Sequence, residues 1–271
     1  MSAAAPPPTA TPAPSKPPAA QAPPAPPPLS GEIYDSGTVR RDAVAVARWV
    51  ATGLVKVTGD ARVGDGRLDG TVSIGGQLAA TTLRFRGTLE VAGAVNVTEA
   101  LAGAGTVRSG SNLRAGALDI KGDARIPGSL TVDRAARVRG ALSASSVTVG
   151  ELDLDGQMEV PGELVSPFSV TVRLKESSRL GTVRAKSVVL RARLPNLVEK
   201  VFGGRVTVLV RRVEAEAADL EGVDVEFVRA PKITLGRGAH VTEFEGTIVK
   251  RHPSSRVGFE SKSPPPYGLR R

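Results

Sequence analysis

No cysteine occurs among the 271 residues. That excludes a disulfide framework, a thiolate metal site and a thiol nucleophile, and it fits a reducing compartment. Aromatic residues make up only 3% of the chain, although 41% of it is hydrophobic. Globular cores draw much of their volume from aromatic rings, so this composition calls for a narrow interior filled by Val, Leu, Ile and Ala. No apolar run approaches the ~20 residues of a membrane span, and the N-terminus lacks the basic-then-apolar layout of a secretory signal. The expected location is the cytoplasm, with the inner face of the cell membrane as a place of weak contact. No phosphate loop of the form G-x-x-x-x-G-K-S/T is present, which argues against nucleotide binding.

The formal charge of +9 is concentrated at one end. Residues 1–30 carry Lys16 alone, and from Lys250 onward six cations face Glu260, a balance of +5. That leaves +3 for residues 31–249. A nearly neutral body excludes a large nucleic-acid-binding face, so no sequence-specific nucleic acid is expected as a partner.

What the chain does have is a short repeat, clearest from Leu118 to Leu164. Inward positions fall in pairs with one residue between them: Leu118/Ile120, Ala124/Ile126, Leu130/Val132, Ala136/Val138, Leu142/Ala144, Val147/Val149, Leu152/Leu154 and Met158/Val160. Spacing of two is the period of a strand with one buried face. Successive pairs begin five or six residues apart, with Gly122, Gly128, Gly140, Gly150, Gly156 and Gly162 between them. Strands this short bury their apolar pairs only by coiling and stacking on the next turn. A β-sandwich is the alternative, but its strands are longer, with turns every ~8–12 residues. The same beat runs from Gly59, where GDARV at 59–63 returns as GDARI at 122–126, and is looser over 98–117. Three faces per turn of about 18 residues would make a rod of about six turns, roughly 30 Å, from 54 to 164.

The expected fold is therefore all-β: a single-stranded β-helix, right-handed and triangular, with a short helical insertion and disordered termini. Residues 1–30, almost entirely Pro and Ala, form a disordered tail that acts as a spacer, a tether or a ligand for a groove that takes Pro-rich segments. Residues 31–192 are β-helix repeats, whose first strands include Val44, Val46, Val50, Leu54, Val55 and Val57. Trp49, the one tryptophan, either closes the open end or lies on a side face. Residues 193–204 form a short amphipathic helix, because Leu194, Leu197, Val198, Val201 and Phe202 fall on one stripe. Strands resume over 205–250 with inward Val208/Val210, Val225/Phe227 and Ile233/Leu235, and 251–271 is a basic disordered tail.

The glycine-punctuated repeats resemble the bactofilins, the polymer-forming cytoskeletal proteins of bacteria. The longer members, which carry an extra C-terminal section, are the better match, through VEAEAADLEGVDVEFVRA, ITLGRGAHV and HPSSRVG within 211–258. The resemblance covers about 45–258. It implies a right-handed β-helix that joins end to end into nucleotide-independent, non-polar filaments. Many bactofilins also have a short N-terminal membrane-targeting sequence, which the Pro/Ala segment does not display.

Two enzyme-like or ligand-binding classes compete with a scaffold. Hexapeptide-repeat acyltransferases share the short repeat and use a histidine as general base. Of the two histidines here, His240 alternates with apolar neighbours and His252 precedes Pro253. A polysaccharide-binding β-helix needs clustered carboxylates and aromatic platforms, whereas Asp60, Asp65, Asp69, Asp119, Asp123, Asp153 and Asp155 are dispersed. Asp60 and Asp123 open equivalent repeats and look like turn residues bonding their own backbone. The reading is a non-enzymatic, self-assembling scaffold without cofactor or metal. Its partners are further copies of itself and client proteins held by the Pro-rich tail. Its expected polymer-end contacts are Trp49 and Val50 at one end and Phe244 and Ile248 at the other.

Overall fold

A computed structural model describes residues 28–193 and 207–260. The Pro/Ala segment, the stripe from Leu194 to Phe202 and the last residues of the basic tail lie outside the described residues. The rest is all-β, with no helix among the described residues. Eleven strands form one sheet in sequence order: β1 (Glu32–Arg41), β2 (Val44–Val57), β3 (Ala61–Ile74), β4 (Leu78–Val91), β5 (Val95–Ser109), β6 (Leu113–Leu174), β7 (Ser178–Ala192), β8 (Val208–Glu221), β9 (Asp224–Leu235), β10 (His240–Arg251) and β11 (Arg256–Glu260). Every pairing between them is parallel. A sandwich of antiparallel hairpins is thereby excluded, and the chain is a β-solenoid of about 13 turns.

The registers give the coil its length. Glu32 pairs with Arg48, an offset of 16, Val44 with Ala61, an offset of 17, and Leu209 with Asp224, an offset of 15. Elsewhere the offset reaches 20, as between Glu159 and Arg179, so the coil length varies around the 18 residues the repeat implies. The looser stretch 98–117 is a real irregularity. The register slips between Val97 and Ala100, which makes that coil one residue longer. The small residue Gly103 there is matched by Phe85 one coil away, whose ring fills the space a side chain at Gly103 would need. Between β7 and β8 the offset rises to 30, because the chain inserts 193–207 before Val208.

Three pairs of inward columns run along the axis, one pair on each face. All sixteen residues of the paired positions from Leu118 to Val160 are buried, none more than 2% exposed. Each such side chain removed from water contributes about 1.5–3 kcal/mol for the larger aliphatics, so the lumen is the source of stability. The C-terminal phase differs at one place from the sequence expectation. Val228, not Phe227, points inward; Phe227 lies outside, with the Arg212 guanidinium 4.5 Å from its ring centroid. Two apolar neighbours compete for one inward slot, and the register assigns it: Val228 pairs with the buried Val213 of the preceding coil, and Phe227 with the outward Arg212.

The glycines also separate into kinds. One corner carries a column of eight, Gly37, Gly53, Gly70, Gly87, Gly105, Gly122, Gly140 and Gly156, each stacked on the next. All eight have positive φ. Gly59, Gly64, Gly76, Gly93, Gly128, Gly150 and Gly162, which share the sequence beat, do not. At this corner the coil repeatedly adopts positive φ, where L side chains rarely go; Gly31, Gly222, Gly238 and Gly246 do so singly elsewhere.

Candidate functional site: the two ends of the coil

A solenoid has two places where its own pattern is incomplete, the first and last coils. At each, a strand offers unpaired N–H and C=O groups and the lumen lacks a cover. The packing follows this logic. Besides Ala185 and Ala215 on one side, the half-buried hydrophobics packed on the core are Ile33, Val39, Phe244, Ile248 and Val257, all in the terminal coils. Among the described residues, four of the six exposed large hydrophobics, Tyr34, Leu54, Val249 and Phe259, also lie at or next to the ends.

Phe244 and Ile248 therefore sit on the C-terminal end, but β11 continues the coil past them to Glu260. That strand occupies residues expected to belong to the tail. Val257 of this strand and Ser255 just before it face inward, and Ser255 is buried. Trp49 and Val50 are one coil inside the N-terminal end. Trp49 is 0% exposed beneath β1, so it props the terminal coil from below and does not form the outer surface. Val50 faces outward and is half-buried. The outermost inward positions are Ile33, Asp35, Val39 and Arg41. Sequence reading places this coil within the repeats of 31–192 but names none of its inward residues, because two of the four are charged.

Those two charges form a closed network. The Arg41 guanidinium donates to the Asp35 carboxylate at 2.6 and 3.0 Å, and the Trp49 indole N–H donates to Asp35 Oδ2 at 2.9 Å. Asp35 is only 5% exposed. The Arg41 hydrogen bonds hold its carboxyl below the ordinary value of 3.8, helped by the indole and opposed by burial. A lowered folded pKa means that the stabilisation is complete above the ordinary carboxylate value and is lost as pH falls through the folded one. Trp49 emission should therefore stay blue-shifted down to about pH 4 and move red only in stronger acid. In Asp35→Asn the acid step in Trp49 emission should vanish; an unchanged step would assign it to other groups.

The flanks are largely self-neutralising. Acids that look dispersed in sequence meet partners one coil away. Asp153 pairs with Arg173 at 3.0 Å, Asp155 with Lys175 at 2.7 Å and Glu90 with Arg108 at 3.0 Å. Each exposed pair is worth about 0–1 kcal/mol. Asp60 accepts a hydrogen bond from the Gln77 N–H of the next coil at 2.7 Å, not from its own turn, so it staples coils.

Two depressions mark the C-terminal half. One, about 780 Å³, has Ala185, Ala215 and Ala230 on its floor and the pairs Arg184–Glu214 and Arg229–Glu245 on its rim. The other, about 630 Å³, contains His240 beside Arg179, Leu209 and Arg211. His240 Nδ1 stands 3.7 Å from Asp224 Oδ1, an acidic neighbour that sequence spacing does not reveal because it lies one coil away. Both side chains are about half exposed. His252 caps the turn before β11, its Nδ1 accepting the Ser254 N–H at 3.1 Å. No group of three or more metal-ligating side chains occurs among the described residues, and no helix among them is long and apolar enough to cross a membrane. No family model, no curated protein and no solved structure matches the chain.

Proposed function

We propose that this chain is a non-catalytic structural protein: a self-assembling β-solenoid that builds filaments end to end without nucleotide, in the manner of the bactofilins it resembles. The observation that carries this reading is the concentration of the half-buried core residues larger than alanine in the terminal coils: Ile33 and Val39 at one end, Phe244, Ile248 and Val257 at the other. Stacking a further copy on either end covers this apolar area and pairs the free strand edge. The absence of cysteine and of a nucleotide loop fits a cytoplasmic scaffold, and the Pro-rich N-terminal segment suits recruitment of client proteins or contact with the inner membrane face.

The test is negative-stain electron microscopy and sedimentation in plain buffer. Filaments or ribbons are expected for the native chain, and Phe244→Arg or Ile248→Arg should shorten them sharply. Uniform compact trimers would overturn the proposal. Trimers would instead favour catalysis at His240, a second reading that the nearby Asp224 supports and that His240→Ala would then probe.

A further inference from the structure

The two ends of the coil are chemically unlike, and this bears on how copies meet. Residues 30–46 hold Arg40 and Arg41 against Glu32, Asp35 and Asp42, a balance of −1. Residues 246–260 hold Lys250, Arg251 and Arg256 against Glu260, a balance of +2. Two C-terminal ends brought together would place like charges within one or two strand spacings of ~4.8 Å, inside the Debye length at physiological salt.

The registers say which residues would become neighbours if one copy continued the spiral of another. Ile33 lies over Trp49 and heads the column that ends at Ile248. Asp35 heads the column that passes through Leu220 and Leu235 to Arg251. Continuing the coil therefore sets Ile33 on Ile248 and the Asp35 carboxylate above Arg251. Val39 falls on the small buried Ser255, and Lys250 comes beneath Tyr34, whose hydroxyl bonds Glu32. Arg40 above Arg256 is one unfavourable match in this set. The spiral also begins and ends at the same corner. Glu260 lies in the column of Phe244, on the face that precedes the one where Glu32 starts.

We propose that copies stack head to tail, the basic C-terminal edge of one, residues 246–260, receiving the acidic first coil of the next, so that the filament is polar. This rests on the self-assembly reading above and departs from the non-polar assembly that the family resemblance implies.

The chain has no cysteine of its own, so introduced thiols report junctions without background. Thr38 and Ser254 are exposed and share one column, at the N-terminal and C-terminal ends respectively. Stacked head to tail, their Cα atoms would lie about one strand spacing apart, within the ~4.4–6.8 Å that a disulfide requires. Thr38→Cys, Ser254→Cys and the double variant would each be checked for filaments by microscopy, oxidised, and run on a non-reducing gel. The double variant should give a ladder of linked oligomers with loss of the monomer band. An equimolar mixture of the single variants should give dimers, and each single variant alone should stay monomeric on the gel. Dimers from either single variant would show like ends meeting and overturn the proposal. Filaments without crosslinks in the double variant would overturn the column alignment. Absence of filaments from the native chain would defeat the self-assembly reading itself, a separate result from a reversed polarity.

Discussion

Replacing Gly87 with valine is expected to open the coil locally and cost roughly 2–6 kcal/mol, the sum of a strained backbone and an overpacked contact. Gly87 has φ +112°, and a Cβ there would run into the carbonyl oxygen of Gly70 in the adjacent coil. Gly105 is placed the same way against Gly87, with φ +128°. The obstacle is backbone on both counts, so no side-chain rotation relieves it. Solenoid stability is close to a sum of neighbouring repeat interactions. The damage should therefore appear first as lost hydrogen-exchange protection in β3, β4 and β5, with the C-terminal coils still protected. Thr88→Ala, next in the chain and free of both constraints, should leave exchange nearly unchanged. Equal protection in Gly87→Val and the native chain would mean that this corner tolerates a side chain.

The second large effect is expected at Trp49. Its side chain is fully buried between β1 and β3 and is the largest group in the N-terminal lumen. Truncation to alanine should cost about 3–5 kcal/mol, through lost burial and the cavity left behind. It also removes the indole donor from Asp35, leaving a nearly buried carboxylate with Arg41 as its remaining side-chain partner. The first coil should then detach in preference to the rest, seen as rapid proteolysis and exchange in β1. Because β1 carries the N-terminal end, filament assembly should weaken together with it. Trp49→Phe keeps most of the volume and loses only the hydrogen bond, so it should fall between the two. If Trp49→Ala left β1 protected, the network of Asp35 and Arg41 alone would be holding the coil.

The solenoid was legible in the chain because its signal is local. A period of two within a strand, repeated every five or six residues, names the inward side chain directly. Every pair from Leu118 to Val160 is accordingly buried. Where two apolar residues stood side by side, as at Phe227 and Val228, the pattern was ambiguous and the register on the preceding coil decided. The shared beat of the glycines did not distinguish the positive-φ column from the others, since that difference depends on which corner turns left-handed.

The ends were less legible for a different reason. The first coil turns Asp35 and Arg41 inward, and a polar residue on an inward position reads as a break in the repeat unless its partner is known. That partner, Trp49, is 14 residues away from Asp35 and one coil below. The pairing of Asp224 with His240 and of Asp153 with Arg173 has the same origin. Hydrophobic periodicity is a property of a few consecutive residues, so composition and spacing were enough to establish a narrow, aromatic-poor coil. Contacts between coils join residues about 15 to 20 apart through registers that slip at bulges and at the 193–207 insertion. Which charges meet, where the coil stops and what each end presents depend on those summed offsets, and a single shifted residue changes them all.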